Sequence, residues 1–153
     1  MKKDEWDPSY PISHCFARPE SSEIASVRDQ ITYAQRYNFK GKLHIVHVSS
    51  PIAVEMIDES RSHLDISCGV TLHHLVYDFS QMFKENGLYW KMNPPLRSPD
   101  SRKRILRYLK ERKIDWIETD HAPHTIEEKL QHSLYSAIPG LPYWPLINEL
   151  LIS

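Results

Sequence analysis

Short runs of β-branched and apolar residues alternate with amphipathic stretches along this chain, and that alternation limits the folds open to it more than any other feature. KLHIVHVS at 42–49 has the clearest strand pattern. LDISCGV at 64–70 and IDWIETD at 114–120 read as further strands, and YPISHC at 10–15 as a short first one. Between them lie helical spacings. Ile24, Val27, Ile31 and Ala34 share one face of a helix over 21–37, with Ser21 or Ser22 as N-cap and acids in the dipole-favoured first turn. Asn38 and Gly41 flank its end. Pro51 suits the first turn of a helix running on over 53–60. Ser98-Pro99 opens a basic amphipathic helix with Ile105, Leu106 and Leu109 inward.

Strand and helix in alternation imply parallel pairing through right-handed crossovers, hence an α/β fold. Four such units make half of an eightfold barrel, and a small doubly wound sheet fits the same pattern. Residues 71–90 lose periodicity and are expected to form a long loop, a kind of segment that is often functional. HAPHTIEEK at 121–129 is polar and turn-rich, and 138–151 reads as a proline-punctuated loop closing on a short apolar helix.

At 153 residues there is room for one domain with a real core. Lysine and arginine number 19 against 20 acids, so no basic excess favours nucleic acid or an anionic membrane. No run reaches the ~18 apolar residues of a spanning helix, and MKKDEWDPSYP lacks the apolar core of a signal peptide. A cytoplasmic location is the default expectation. Two cysteines, Cys15 and Cys68, are too few for a disulfide framework and read as packing residues.

Nine histidines are the first oddity, because several stand at the ends of strand-like runs. His14, His47 and Asp120 each close such a run, and in α/β folds sites gather at the carboxyl ends of strands. Imidazole and carboxylate are the ligands zinc takes, and a catalytic site keeps one position open for water. His44 and His47, three apart, point to opposite sides of a regular strand, so only one can face the site. By the same parity Trp116, Glu118 and Asp120 share a face. Taken singly, a strand histidine is more often hydrogen-bonded in a core or rim than a ligand, and it is the combination that points to a metal. His73-His74 reads as rim or loop structure, and His63 and His132 as exposed.

HVSS at 47–50, NPPLR at 93–97, TDHAPHT at 119–125 and PGL at 139–141 closely resemble dihydroorotases of the amidohydrolase superfamily, as do HC followed by RPE over 14–20 and LHHL at 72–75. TDHAPHT followed by EEK is the most specific of these. The resemblance implies a partial (β/α)8 TIM-type barrel of about four βα units, strands five to eight of the family fold, forming a single domain over 1–153. It implies that His14 and His47 bind one metal, that Asp120 binds the other and acts as general base, and that Asn93 and His124 contact the substrate. The implied reaction is zinc-dependent hydrolysis of a cyclic amide, dihydroorotate to carbamoyl aspartate in pyrimidine biosynthesis. Hydantoin and allantoin remain alternative substrates.

The chain also departs from the family. The opening His-x-His, the strand-four lysine and the small β-rich domain have no counterpart here. Cys68-Gly69-Val70 replaces the usual Cys-Glu-Val, and Glu118 stands where a small residue is usual, so Glu118 is expected to restore that acid from the neighbouring strand. Leu72 replaces the proline before the paired histidines, and Pro142-Tyr143 stand where an acid and a small residue are usual. Three readings follow. The chain is a fragment or split half of a dihydroorotase-like enzyme completed by further sequence, by a complementary half-barrel chain or by a homo-oligomer, an inactive homologue acting as a binding or assembly partner, or a stand-alone hydrolase using one metal at His14, His47 and Asp120.

Overall fold

The computed structural model describes residues 7, 9–120, 125 and 128. Three parallel strands, β1 (Leu43–Ile45), β2 (Ile66–Thr71) and β3 (Trp116–Glu118), lie in the order β1-β2-β3. Ile45 pairs with Cys68, and Thr71 with Glu118. Paired residues in a parallel sheet share a face, so one face carries Leu43, Ile45, Ile66, Cys68 and Val70. The other carries His44, Ser67, Gly69, Thr71 and Glu118.

Helices cover the first face. Helix α2 (Glu20–Arg36) brings Val27 and Ile31 inward, α3 (Pro51–Ser60) brings Ala53, Val54 and Ile57, and α5 (Pro99–Lys110) brings Ile105 and Tyr108. Ile57, Val54 and Ile105 are completely buried. Each such side chain contributes roughly 1.5–3 kcal/mol by leaving water. Ser50 caps α3 by accepting from the Ala53 amide, and Ser98 caps α5 through Ser101, each followed by a proline at the first helical position as the sequence predicts. Helix α2 differs: Pro19 takes the cap position, and no side chain caps the helix. Glu20 and Glu23 are drawn elsewhere.

Both acids bind the polar loop after β1, and Glu23 also reaches the segment before α5 while Glu20 reaches the first turn of α5. Glu23 accepts from the amides of Ser49 and Ser50 and from the Ser49 hydroxyl. It also takes one arm of Arg97 at 2.9 Å, while Arg97 Nε donates to Ser49 Oγ and its other arm to the Arg18 carbonyl. Glu20 accepts from Ser50 and Ser101. The arginine of NPPLR is therefore architectural, tying α2, the end of β1 and the entry to α5 into one unit.

Two expectations are corrected. YPISHC forms no strand: Ser13–Phe16 is a short helix, α1, in which Ser13, His14 and Cys15 bond back to the carbonyls of Tyr10, Pro11 and Ile12. Six residues carry too little periodicity to separate strand from helix, and Pro11 at the start favours the helical turn. The described residues thus hold three strands of the four expected. Nor is 71–90 a plain loop: it contains α4 (Leu72–Val76) and 3-10 turns at Phe79–Phe83 and Gly87–Trp90. Met82, with Phe79 and Trp90, packs against Ile12 and Cys15. At Gly87 a Cβ would stand 2.3 Å from the Met82 carbonyl oxygen, so only glycine permits this approach of the two turns.

Candidate active site

Beyond Ile45 the chain leaves the strand, and His47 adopts φ 55°, in the left-handed region. Asp120, just past β3, does the same at φ 43°. Two other described non-glycine residues share this conformation, Asn38 and Arg112, and each follows a helix end. There the next amide bonds back to the helix, Phe39 to Ala34 and Lys113 to Tyr108, which is the ordinary left-handed helix stop. His47 and Asp120 end strands, where no such closure offsets the strain, and strain of that kind gathers at functional sites.

The turn at His47 overrides strand parity. His44 lies on the open face and His47 is swung back to join it, so both histidines meet Glu118, contrary to the expectation that only one could face this way. Glu118 Oε1 lies 2.9 Å from His44 Nε2, and its Oε2 lies 2.9 Å from His47 Nδ1 and 2.8 Å from the His47 amide nitrogen. Burial opposes ionisation of Glu118, yet hydrogen bonds from His44 and His47 hold its carboxyl below the ordinary carboxylate value.

An ionised carboxylate can only accept, so these bonds assign the ring protons. His44 donates from Nε2, and its Nδ1 accepts from the Ser67 hydroxyl at 2.8 Å, leaving that ring fully engaged. His47 donates from Nδ1, and its Nε2 lies 3.7 Å from Asp120 Oδ1. The side chains of His47 and Asp120 are 29% and 38% exposed, open to an incoming group.

A divalent ion about 2.0–2.2 Å from each of two ligand atoms spans a gap of this size, and a histidine that ligates usually gives its other N–H to a carboxylate. His47 and Asp120 fit a metal on both counts. His14 does not join them. It is buried in α1, its Nε2 donates to the Met92 carbonyl at 2.8 Å, and its Nδ1 accepts from Arg18 at 3.0 Å. Among the described residues no group of three histidine, cysteine, aspartate or glutamate side chains could hold a metal, so the three-ligand convergence expected from the strand ends does not form here. The strand assigned to YPISHC produced that expectation, and α1 removes it.

Asn93 is exposed, between the buried Met92 and the half-buried Pro94. His124 lies outside the described residues, as do His132 and the PGL segment. His63 is exposed, as expected. His74 is wholly buried in α4, with Nε2 donating to the Pro94 carbonyl and Nδ1 accepting from Thr71. Burial foremost holds its pKa down at about 4, with Arg97 adding and Glu23 opposing. This neutral ring anchors the NPP segment. Burial pushes the thiols of Cys15 and Cys68 up to about 12, which agrees with packing roles. Sequence reasoning missed His44 as a partner of Glu118; the signal available was its parity with Ser67 and Gly69 across β1 and β2.

No protein-family model matches the chain. It is 40% identical over 144 residues to the dihydroorotase of Methanosphaera stadtmanae, covering 92% of this chain and 32% of the relative. The Methanothermobacter thermautotrophicus dihydroorotase is 38% identical over 151 residues, covering 99% of this chain and 33% of that protein. Among solved structures, the L-hydantoinase (dihydropyrimidinase) of Arthrobacter aurescens superposes with a TM-score of 0.73 at 26% identity, over 80% of this chain and 27% of its own. The D-hydantoinase of a Thermus species reaches 0.82 at 23%, over 93% and 32%, and testifies to the fold alone. The chain spans about a third of the length of the curated relatives it matches. By sequence over nearly its whole length it belongs to the dihydroorotase family of amidohydrolases.

Proposed function

We propose that this stretch supplies one side of a metal-dependent site that hydrolyses a cyclic amide, with dihydroorotate as substrate and carbamoyl aspartate as product. The observation that carries the reading is the His47 Nε2 to Asp120 Oδ1 approach of 3.7 Å, made across β2 from the ends of β1 and β3. Zinc is the proposed ion, because imidazole and carboxylate suit it. When bound, it supplies Lewis acidity that polarises an amide carbonyl and acidifies water. His47 holds the ion through Nε2, and Asp120 through a carboxylate oxygen. Asp120 also takes the proton that water loses as its oxygen adds to the carbonyl carbon, and returns it to the ring nitrogen as the C–N bond breaks. Asn93, exposed beside the half-buried Pro94, and His124 are the proposed substrate contacts. His14 is left outside this set, since its ring nitrogens are taken by the Met92 carbonyl and by Arg18.

The site is proposed to be completed by barrel segments beyond this stretch, in the same assembly. A second reading, an assembly partner without turnover, draws support from Val46, Trp116 and Ile117, which are exposed along the flanking strands β1 and β3. Mixing the chain with the remaining two thirds of the Methanosphaera stadtmanae dihydroorotase, expressed as a separate chain with zinc present, separates the two. Turnover of dihydroorotate in the mixture, lost in Asp120→Asn, is the expected result. A stable complex without turnover would favour the assembly reading.

A further inference from the structure

Gly69 sits on β2 with the Glu118 side chain lying directly over it. A Cβ at position 69 would stand 2.2 Å from both Cδ and Oε1 of Glu118, and 2.8 Å from its Cγ. Glu118 is paired in register with Thr71, so its side chain reaches back along the sheet by one same-face position to occupy the space Gly69 leaves. From there one carboxylate spans both histidines of the first strand segment, with Oε1 on His44 and Oε2 on the ring and the amide of His47.

We propose that Gly69 and Glu118 form an exchanged pair: β3 supplies a carboxylate that fixes the His47 ring with Nε2 facing Asp120, and β2 supplies the glycine that makes room for it. Glu118 is a positioning residue in this account. It reaches no reacting group itself and acts through His47, whose Nδ1 it occupies so that Nε2 is the nitrogen left for a ligand. The left-handed backbone at His47 belongs to the same device, since the His47 amide donates to the same Oε2 as its ring. Two donors from one residue on one oxygen fix the ring more tightly than either would alone. His44, with Ser67 behind it, holds the carboxylate's other oxygen in place. The direction of this effect rests on the proposed role of His47, but the tautomer can be read without any metal.

The test is long-range 1H–15N NMR of the histidine rings in the full chain, free of metal, for the wild type, Glu118→Ala, Glu118→Gln and the double exchange Gly69→Glu with Glu118→Ala. The expected result is a His47 ring protonated at Nδ1 in the wild type, a shift toward the Nε2–H form common in free imidazole in Glu118→Ala, and recovery of the Nδ1–H signature in the double exchange. Glu118→Gln, of the same size, keeps the fold and serves if the alanine variant does not, and is expected to weaken the signature because an amide offers one acceptor where the carboxylate offered two. An Nδ1–H ring that persists in both single variants overturns the proposal. Zinc uptake measured on the same samples keeps the two claims apart. A chain that takes up zinc with a tautomer indifferent to Glu118 loses this inference alone, and one whose tautomer follows Glu118 while its mixture with the rest of the barrel neither takes up zinc nor turns over dihydroorotate loses the hydrolase reading alone.

Discussion

Glu23 and Glu118 do the same thing in two regions of the molecule, each gathering several donors where the chain leaves β1, and they end in opposite states. Glu23 is sealed: it takes two amides, a hydroxyl and Arg97, and the side chains of Arg97 and Glu23 are 8% and 14% exposed. Every donor there is spent on protein, and the result is architecture joining α2 to the entry of α5. Glu118 stands at the rim with two histidines, and one of them keeps a ring nitrogen turned to Asp120 instead of to a hydrogen-bond partner in the sheet. A carboxylate that meets arginine makes a lock. One that meets histidine orients a second group and leaves it available.

The largest effect should come from breaking the sealed side. Arg97→Ala leaves Glu23 buried without its cation and is expected to lower stability by about 3–5 kcal/mol, read as a shift of the urea midpoint. A loss below about 1 kcal/mol would mean that the Ser49 and Ser50 amides alone satisfy Glu23, and the contrast between the two glutamates would dissolve. At the rim, Gly69→Ala is expected to cost about 1–3 kcal/mol by overpacking against Glu118. The same substitution in a Glu118→Ala background should cost far less, and equal costs in both backgrounds would break the coupling.

His74 and His47 sharpen the comparison through pH. His74 is the sealed histidine, with a folded pKa of about 4 against an ordinary 6.5. Between those values the unfolded chain takes up a proton that the folded chain refuses. Stability from this group is therefore full above about pH 6.5 and declines as the pH falls toward 4. Urea midpoints between pH 7.5 and 4.5 should show that decline, and His74→Gln should flatten it. A slope unchanged in the variant would assign it to other groups. The smallest stability effect belongs to the open histidine: His47→Ala should cost no more than about 1 kcal/mol, because the ring is half-buried and His44 still holds Glu118. A larger loss would place His47 with the architecture.

How far the sequence carried the account follows the same division. Helices α2, α3 and α5 and the strands at 43–45, 66–71 and 116–118 were legible because periodicity, serine caps and first-turn prolines act locally. The cap of α2 was misplaced because Glu20 and Glu23 serve distant partners. Helix α1 was read as a strand, and with it His14 as a strand-end ligand, because six residues do not distinguish the two periods. His47, Asp120 and Glu118 were named from strand-end position and family resemblance. Their geometry was not legible: strand parity predicts that His44 and His47 diverge, and the left-handed turn at His47 reverses that. The closeness of Glu118 to Gly69 depends on a register between strands nearly fifty residues apart, which no local pattern encodes. Residues 121–124 of TDHAPHT, His124 among them, lie outside the described residues, so that part of the expectation stays with the sequence.

Zinc uptake by equilibrium dialysis, comparing the full chain with His47→Ala and Asp120→Asn, tests the central claim that the two strand ends hold a metal between them. The account predicts binding by the wild type that weakens at least tenfold in each variant, with folding retained. Binding equal in all three, or none in well-folded wild-type chain, would contradict it.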